Sequence, residues 1–263
     1  QIDAELARGM YRLSSSALDA DARHGDLQTV FEQTWRLLSN SERVVLARLS
    51  VFSGHWTREA AMAVAGASPQ SLNALTQCSL IQRDANGNYG QHALLRHFGA
   101  SHLSAEPGAE QATMAAHRDY FLAYLAERAR ALKDYRVHVA VRELGPCADD
   151  ITDAWRHAVR NLDDAAVAGL VRAMEALLVY LETVCRFRLG AQLFGDTADT
   201  VRRLPERSEW VASLIVRQSW FLFRLGDYDA GNKLVAEAVH ILESLGSRAD
   251  MGYPLLFMGA NHY

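Results

Sequence analysis

Three histidines, His92, His97 and His102, fall within the stretch NGNYGQHALLRHFGASHL (Asn86 to Leu103). Imidazoles are the side chains that most often ligate metals or move protons near neutral pH. Two zinc ligands on one helix need i, i+4 spacing. Steps of five turn each ring by about 140° around a helix of about 3.6 residues per turn, which scatters the three rings. The spacing therefore opposes a metal site. His92 stands where a turn meets a helix, and there a ring caps the helix, packs beneath the turn or offers a hydrogen bond to a ligand. The acidic pairs Asp149–Asp150 and Asp163–Asp164 open two helical patterns, where carboxylates favour the N-terminal dipole, so capping is read there before acid–base work. Neither Ser14-Ser15-Ser16 nor Ser208 has the Gly-x-Ser-x-Gly setting of a nucleophile elbow.

Positive charge is almost all arginine, with Lys133 and Lys233 the two lysines. Neither ALKDYR nor GNKLVA supplies the Gly-x4-Gly-Lys-[Ser/Thr] of a phosphate-binding loop. Cys78, Cys147 and Cys185 are odd in number and far apart, which argues against a disulfide framework or zinc ribbon and for a reducing cytoplasm. No constellation of an enzyme is present, and no cofactor is expected in this chain.

The elements that must position these residues read as mostly helical. DLQTVFEQTWRLL sets Leu27, Val30, Phe31, Trp35 and Leu38 on one stripe, with Asp26 as N-cap. SNSERVVLARLSVF restarts a helix after Ser41 that buries Val45, Leu46 and Leu49, and SGHW breaks it. A third helix runs from a Thr57 cap to Gly66, and a fourth follows with Pro69 in its first turn. SLIQRD and YGQH, joined by ANGN, form a β-hairpin. Helix then resumes from Leu94 to Leu103. Helices, a hairpin and another helix describe a winged-helix domain, closed by the linker SAEPGAE with Pro107 and Gly108. Beyond it the pattern predicts helices near 113–134, 136–145, 149–161, 164–186, 190–203, 207–225, 229–245 and 249–262. Gly226, Tyr228, Gly231 and Ala238 have the spacing of small and aromatic positions in a tetratricopeptide repeat. Gly259, 40 residues after Ser219, matches it in a second unit.

The fold class is therefore mainly α: a winged-helix domain with one β-hairpin, followed by a tetratricopeptide-like α–α superhelix. At 263 residues, 49% hydrophobic and 22% charged, the chain is long enough for one or two cores and too apolar to be disordered. No run approaches 18 uncharged apolar residues, so no membrane partner is expected. The helix that would read DNA, SPQSLNALTQCSL, carries no Arg or Lys, and the net charge is −4. Direct DNA binding is not expected.

Several stretches together resemble the segment that follows the nucleotide-binding core in STAND ATPases, the multidomain signal-transduction ATPases common among bacterial regulators. They are the Phe31, Trp35, Leu37, Leu38 helix, ERVVLARLSVFSG, REAAMAVAG, the SLI strand, and Tyr89, His92, Leu94, Leu95 and Arg96. Downstream, HRDYFLAYLAERA and DDITDAWRHAV resemble the helices that lead to the repeat sensor in such proteins. The resemblance implies that this chain is a piece of a longer cytoplasmic protein and is not itself catalytic. Residues 1–26 would lead in from an upstream helical domain, 27–105 form the winged helix, 106–206 the helical linker and solenoid start, and 207–263 the repeats. It also implies ATP or ADP for the parent, an upstream ATPase core as partner, and an inducer or protein partner on the repeats. His92, with Arg96, falls at the family's nucleotide-sensing position. Gln91 departs from the usual apolar residue, and Ala93 from the usual acid. Trp220, Phe223, Arg224 and Tyr228 are candidates for a partner groove, beside the reading of these aromatics as repeat core. The alternative is a stand-alone winged-helix transcriptional regulator with a helical ligand-binding half.

Overall fold

Residues 30–204 and 208–246 are described by the computed structural model. The expectations for the lead-in 1–26, for Leu27, for the helix over 249–262 and for Gly259 lie outside these residues. The chain is mainly helical, with one two-stranded antiparallel sheet among the described residues. None of its described helices is long and apolar enough to cross a membrane. It divides into two compact units that interleave along the sequence. One comprises the described residues up to Phe121 together with Pro146–Ala154. The other comprises Leu122–Gly145 and the described residues from Trp155 onward.

In the first unit, residues 30–37 are helical, followed by α1 (Asn40–Leu49), α2 (Arg58–Ala65) and α3 (Pro69–Gln77). Each start has a chemical cause. Ser39 and Glu42 form a reciprocal capping box on α1, Thr57 accepts from the Ala60 amide, and Ser68 caps α3 with Pro69 in its first turn. Helix α2 ends on Gly66 at φ 66°, a left-handed position that glycine enters without a Cβ penalty. The predicted buried face of α1 is present, with Val45, Leu46 and Leu49 all buried. They join Phe52, Trp56, Ala61, Leu72, Leu75 and Ile81 in one core. Each large side chain there contributes about 1.5–3 kcal/mol by leaving water. Phe31 and Trp35 pack against Phe98 at ring separations of 5.9 and 5.6 Å, whereas Val30 and Leu37 on the same helix are exposed.

The wing consists of β1 (Gln82–Arg83) and β2 (Tyr89–Gly90), in register Gln82 with Gly90 and Arg83 with Tyr89. Its turn is closed by Asp84, whose carboxylate accepts from the Asn86 and Asn88 amides at 2.9 Å, while Gly87 takes φ 86°. On its other side β2 bridges to Trp56 through two backbone hydrogen bonds of 2.9 and 2.7 Å. Helix α4 (Ala93–Ser104) follows, crossing α1 where Gly99 lies against the Leu46 carbonyl. Next comes α5 (Ala109–Glu127).

The helix expected over 113–134 is broken in the second unit. After α5, a short α6 (Ala129–Leu132) and α7 (Val137–Leu144) follow. The break falls at Arg128, at φ −92°, ψ 0°, where its Nη1 donates to the Tyr124 carbonyl at 2.8 Å. Its guanidinium also lies 3.3 Å from the centre of the Tyr124 ring. Helices α8 (Ala148–Arg160), α9 (Asp164–Thr183), α10 (Phe187–Val201), α11 (Ser208–Arg224) and α12 (Tyr228–Ser244) complete the chain. Helix α9 stops at Thr183 rather than 186, because Cys185 turns the chain at φ 55°.

Small residues let these later helices approach closely. A Cβ on Gly190 would lie 2.5–2.6 Å from the Phe221 ring, and Gly231 sits directly under Phe223. Ser219 and Ala238 are fully buried in the same layers. The predicted role of Gly231 is thus visible in α11–α12 packing, Ala238 is buried on the same helix, and Gly190 lets α10 approach α11.

The Glu42 carboxyl is held below its ordinary value by the Ser39 hydroxyl first and the Ser39 amide second. Its stabilisation is therefore present above the unfolded value and lost as pH falls through the lowered folded one. Ser39→Ala should cost about 1 kcal/mol at neutral pH. Urea melts between pH 3 and 7 should show Glu42→Gln losing stability at the upper end and converging on wild type at the lower.

Candidate functional site

The candidate site grows from the end of the wing. Because β2 is tied to β1 on one side and to Trp56 on the other, the backbone entering α4 is fixed. His92 is the N-cap of α4, and its Nδ1 accepts from the Leu94 amide at 3.3 Å. The ring is exposed, and its Nε2 has no partner among the described residues. Gln91, the departure noted in the sequence, has both amide atoms buried without a partner among the described residues. A cleft of about 280 Å³ opens beside them, lined by Ser53, Gly54, His55, Arg83, Gln91 and His92 among others.

Arg96 lies one turn after His92 but turns inward. Its Nη1 donates to the Ser53 carbonyl at 3.1 Å and reaches the Phe52 carbonyl at 3.5 Å. The other two histidines occupy separate surroundings. His97 is exposed, while His102 stacks on Trp35 at 4.1 Å with Phe98 at 4.6 Å and Glu32 at 3.9 Å. A second cleft, of about 450 Å³, lies between the wing and α3, with Asn73, Arg58 and Arg83 on its walls. The exposed residues of α3 include Gln70, Asn73 and Gln77.

The acidic pairs divide. Asp163 caps α9, accepting from the Ala166 amide at 2.7 Å, as its position predicts. Asp150 does otherwise and corrects the capping reading. It is fully buried in the first turn of α8, and its carboxylate leaves the helix to meet three donors. The Ser53 amide lies at 2.7 Å, the Gly54 amide at 3.0 Å and His117 Nε2 at 2.9 Å. Since a carboxylate only accepts, His117 carries its proton on Nε2. His117 comes from α5 and is wedged between Phe52 and Phe121, at ring separations of 5.5 and 4.7 Å. One turn further along α8, Asp153 accepts from the Ser53 hydroxyl at 2.6 Å. A Cβ on Gly54 would come within 2.8 Å of the Pro146 carbonyl oxygen, so this junction accepts only glycine without displacement. Sequence reading missed the junction. His117 and Asp150 are 33 residues apart, and neither spacing nor periodicity links them, although both lie in the stretches HRDYFLAYLAERA and DDITDAWRHAV.

The four groove candidates separate into two pairs. Trp220 Nε1 donates to Glu182 at 2.9 Å and Arg224 Nε to the same carboxylate at 3.0 Å, with the Arg224 guanidinium 5.0 Å from the Phe187 ring. Phe223 instead stacks with Tyr228 at 6.3 Å over Gly231, and Tyr228 is 58% exposed. Trp220 and Arg224 share one surface with Glu182, whereas Phe223 closes the next helix crossing.

The elements define a mainly helical protein in which a winged-helix unit is followed by antiparallel helical hairpins. No protein-family model matches the chain, and no curated protein matches it. Among solved structures, it is similar to a Signal Transduction ATPase with Numerous Domains (STAND) protein with a tetratricopeptide repeat sensor from Pyrococcus horikoshii. That likeness is at 16% identity and a TM-score of 0.32, covering 84% of this chain and 47% of that one. The chain thus spans about half the length of that protein.

Proposed function

We propose that this chain is a non-catalytic regulatory part of a STAND-type signal-transduction ATPase. The helical repeats take an inducer or protein partner. The winged helix passes that event to an upstream core that holds ATP or ADP, and the core controls transcription or signalling. The observation that carries the reading is the placement of His92. It sits at an exposed wing–helix junction, its ring is oriented by the Leu94 amide, and its second nitrogen has no partner among the described residues. A ring so held is suited to donate a hydrogen bond to a phosphate oxygen supplied from outside this chain. Arg96 supports the same helix from behind by gripping the Phe52–Ser53 turn.

The first test uses the chain alone. It should release no phosphate from ATP, and calorimetry should find no ADP binding at micromolar concentration; micromolar affinity would overturn the need for a separate core. In the full-length parent, His92→Ala should raise basal output by loosening the nucleotide-bound resting state. Unchanged output removes His92 from the mechanism. Gel-shift titration at physiological salt should show no sequence-dependent DNA binding, and tight selective binding would replace this reading with a stand-alone transcriptional regulator.

A further inference from the structure

The Phe52–Gly54 turn is held from two sides by opposite charges, and the two grips meet on the same peptide groups. Arg96 Nη1 contacts the carbonyls of Phe52 and Ser53 at 3.5 and 3.1 Å. Asp150 accepts from the amides of Ser53 and Gly54 at 2.7 and 3.0 Å. The Phe52 carbonyl and the Ser53 amide are the two ends of one peptide group, and the Ser53 carbonyl and the Gly54 amide are the ends of the next. A guanidinium at the oxygen end and a carboxylate at the N–H end polarise a peptide in the same sense, so each bond strengthens the other. This junction is also built rigidly. Asp150 is fully buried, His117 fixes it from α5, Asp153 adds the Ser53 hydroxyl, and Gly54 leaves no room for a side chain.

We infer that Arg96 and Asp150 act as one coupled pair through the Phe52–Ser53 and Ser53–Gly54 peptide groups, with His117 as a positioning residue, linking the His92 end of α4 to α8. Helix α4 carries His92 at its N-cap and Arg96 one turn later, so displacement of its start loosens the carbonyl grip. The loss is felt at the amides and hence at the carboxylate of α8. A double-mutant cycle measures this coupling. The inference rests on the proposed function only for its meaning as a signalling joint.

The test is backbone amide hydrogen exchange by NMR on the whole chain, comparing wild type, Arg96→Gln, Asp150→Asn and the double variant. Arg96 touches neither amide, yet Arg96→Gln should speed exchange at both Ser53 and Gly54. The double variant should fall short of the product of the single effects by roughly threefold or more. A product within error makes the two grips independent and overturns the inference. If Asp150→Asn does not fold, the amide proton shifts of Ser53 and Gly54 decide it without altering that residue. Arg96→Gln should move them upfield and Arg96→Lys, which keeps the charge, should restore part of the shift. Unmoved shifts in Arg96→Gln overturn the inference equally. Neither readout involves nucleotide or inducer, so the ADP and His92→Ala results can fail while the coupling stands, and the reverse.

Discussion

Replacing Asp150 with alanine should destabilise the unit that contains it by roughly 3–5 kcal/mol, because three donors lose one buried acceptor together. Two backbone amides and a histidine nitrogen then lose their acceptor where Asp150 is wholly shielded from water. An amide left unpaired in such a place costs about 1–3 kcal/mol by itself, so the effect should exceed that of losing one ordinary hydrogen bond. Asp150→Asn should be milder, since its oxygen still accepts while its NH2 faces donors. Urea titration measures the shift as a lower midpoint with an unchanged slope. A loss under about 1 kcal/mol would mean that the turn rearranges to find other acceptors.

The second large effect is expected at Trp155 in the helical unit. The ring is 1% exposed, meets Phe194 edge-on at 5.7 Å, and donates from Nε1 to the Thr197 hydroxyl at 2.9 Å. Phe194 in turn stacks with Phe221, so Trp155 starts an aromatic column that runs from α8 through α10 to α11. Trp155→Ala should cost about 3–5 kcal/mol through lost burial and the cavity left behind. Trp155→Phe keeps the edge contact, and Thr197 keeps its bond to the Leu193 carbonyl at 2.6 Å, so its cost should be about 1–2 kcal/mol. Thermal melts followed by circular dichroism should rank wild type above Trp155→Phe and Trp155→Ala last. Equal melting of the two variants would assign the whole effect to the hydrogen bond.

Much of the architecture is legible along the chain because its causes are local. Thr57 and Gly66 bracket α2, Pro69 opens α3, and Gly87 turns the wing, each through the conformational preference of that residue. The apolar period of α1 likewise marks Val45, Leu46 and Leu49 for burial. His92 at the start of α4 is also local, since a cap and a hairpin end coincide there. The break at Arg128 was not legible, because a long arginine in a helical pattern reads as a helix former.

The groove candidates separate into two pairs in the folded chain. Trp220, Phe223, Arg224 and Tyr228 are close in sequence, but Trp220 and Arg224, four residues apart, share one face of α11, Phe223 lies about 100° round the helix from Arg224, and Tyr228 opens α12. Glu182 selects Trp220 and Arg224, while Gly231 admits Phe223. The clearest division lies at Asp150. By sequence it is an acid in the first turn of a helix, and local physics gives such an acid to its own helix. In the folded protein the amides of the Phe52–Gly54 turn and the ring of His117 are the donors its buried carboxylate meets. Periodicity and capping thus determined which segments are helices and which faces they bury. Which buried charge meets which turn was decided by tertiary structure, because hydrogen bonds between distant segments follow proximity in space and leave no period in the sequence.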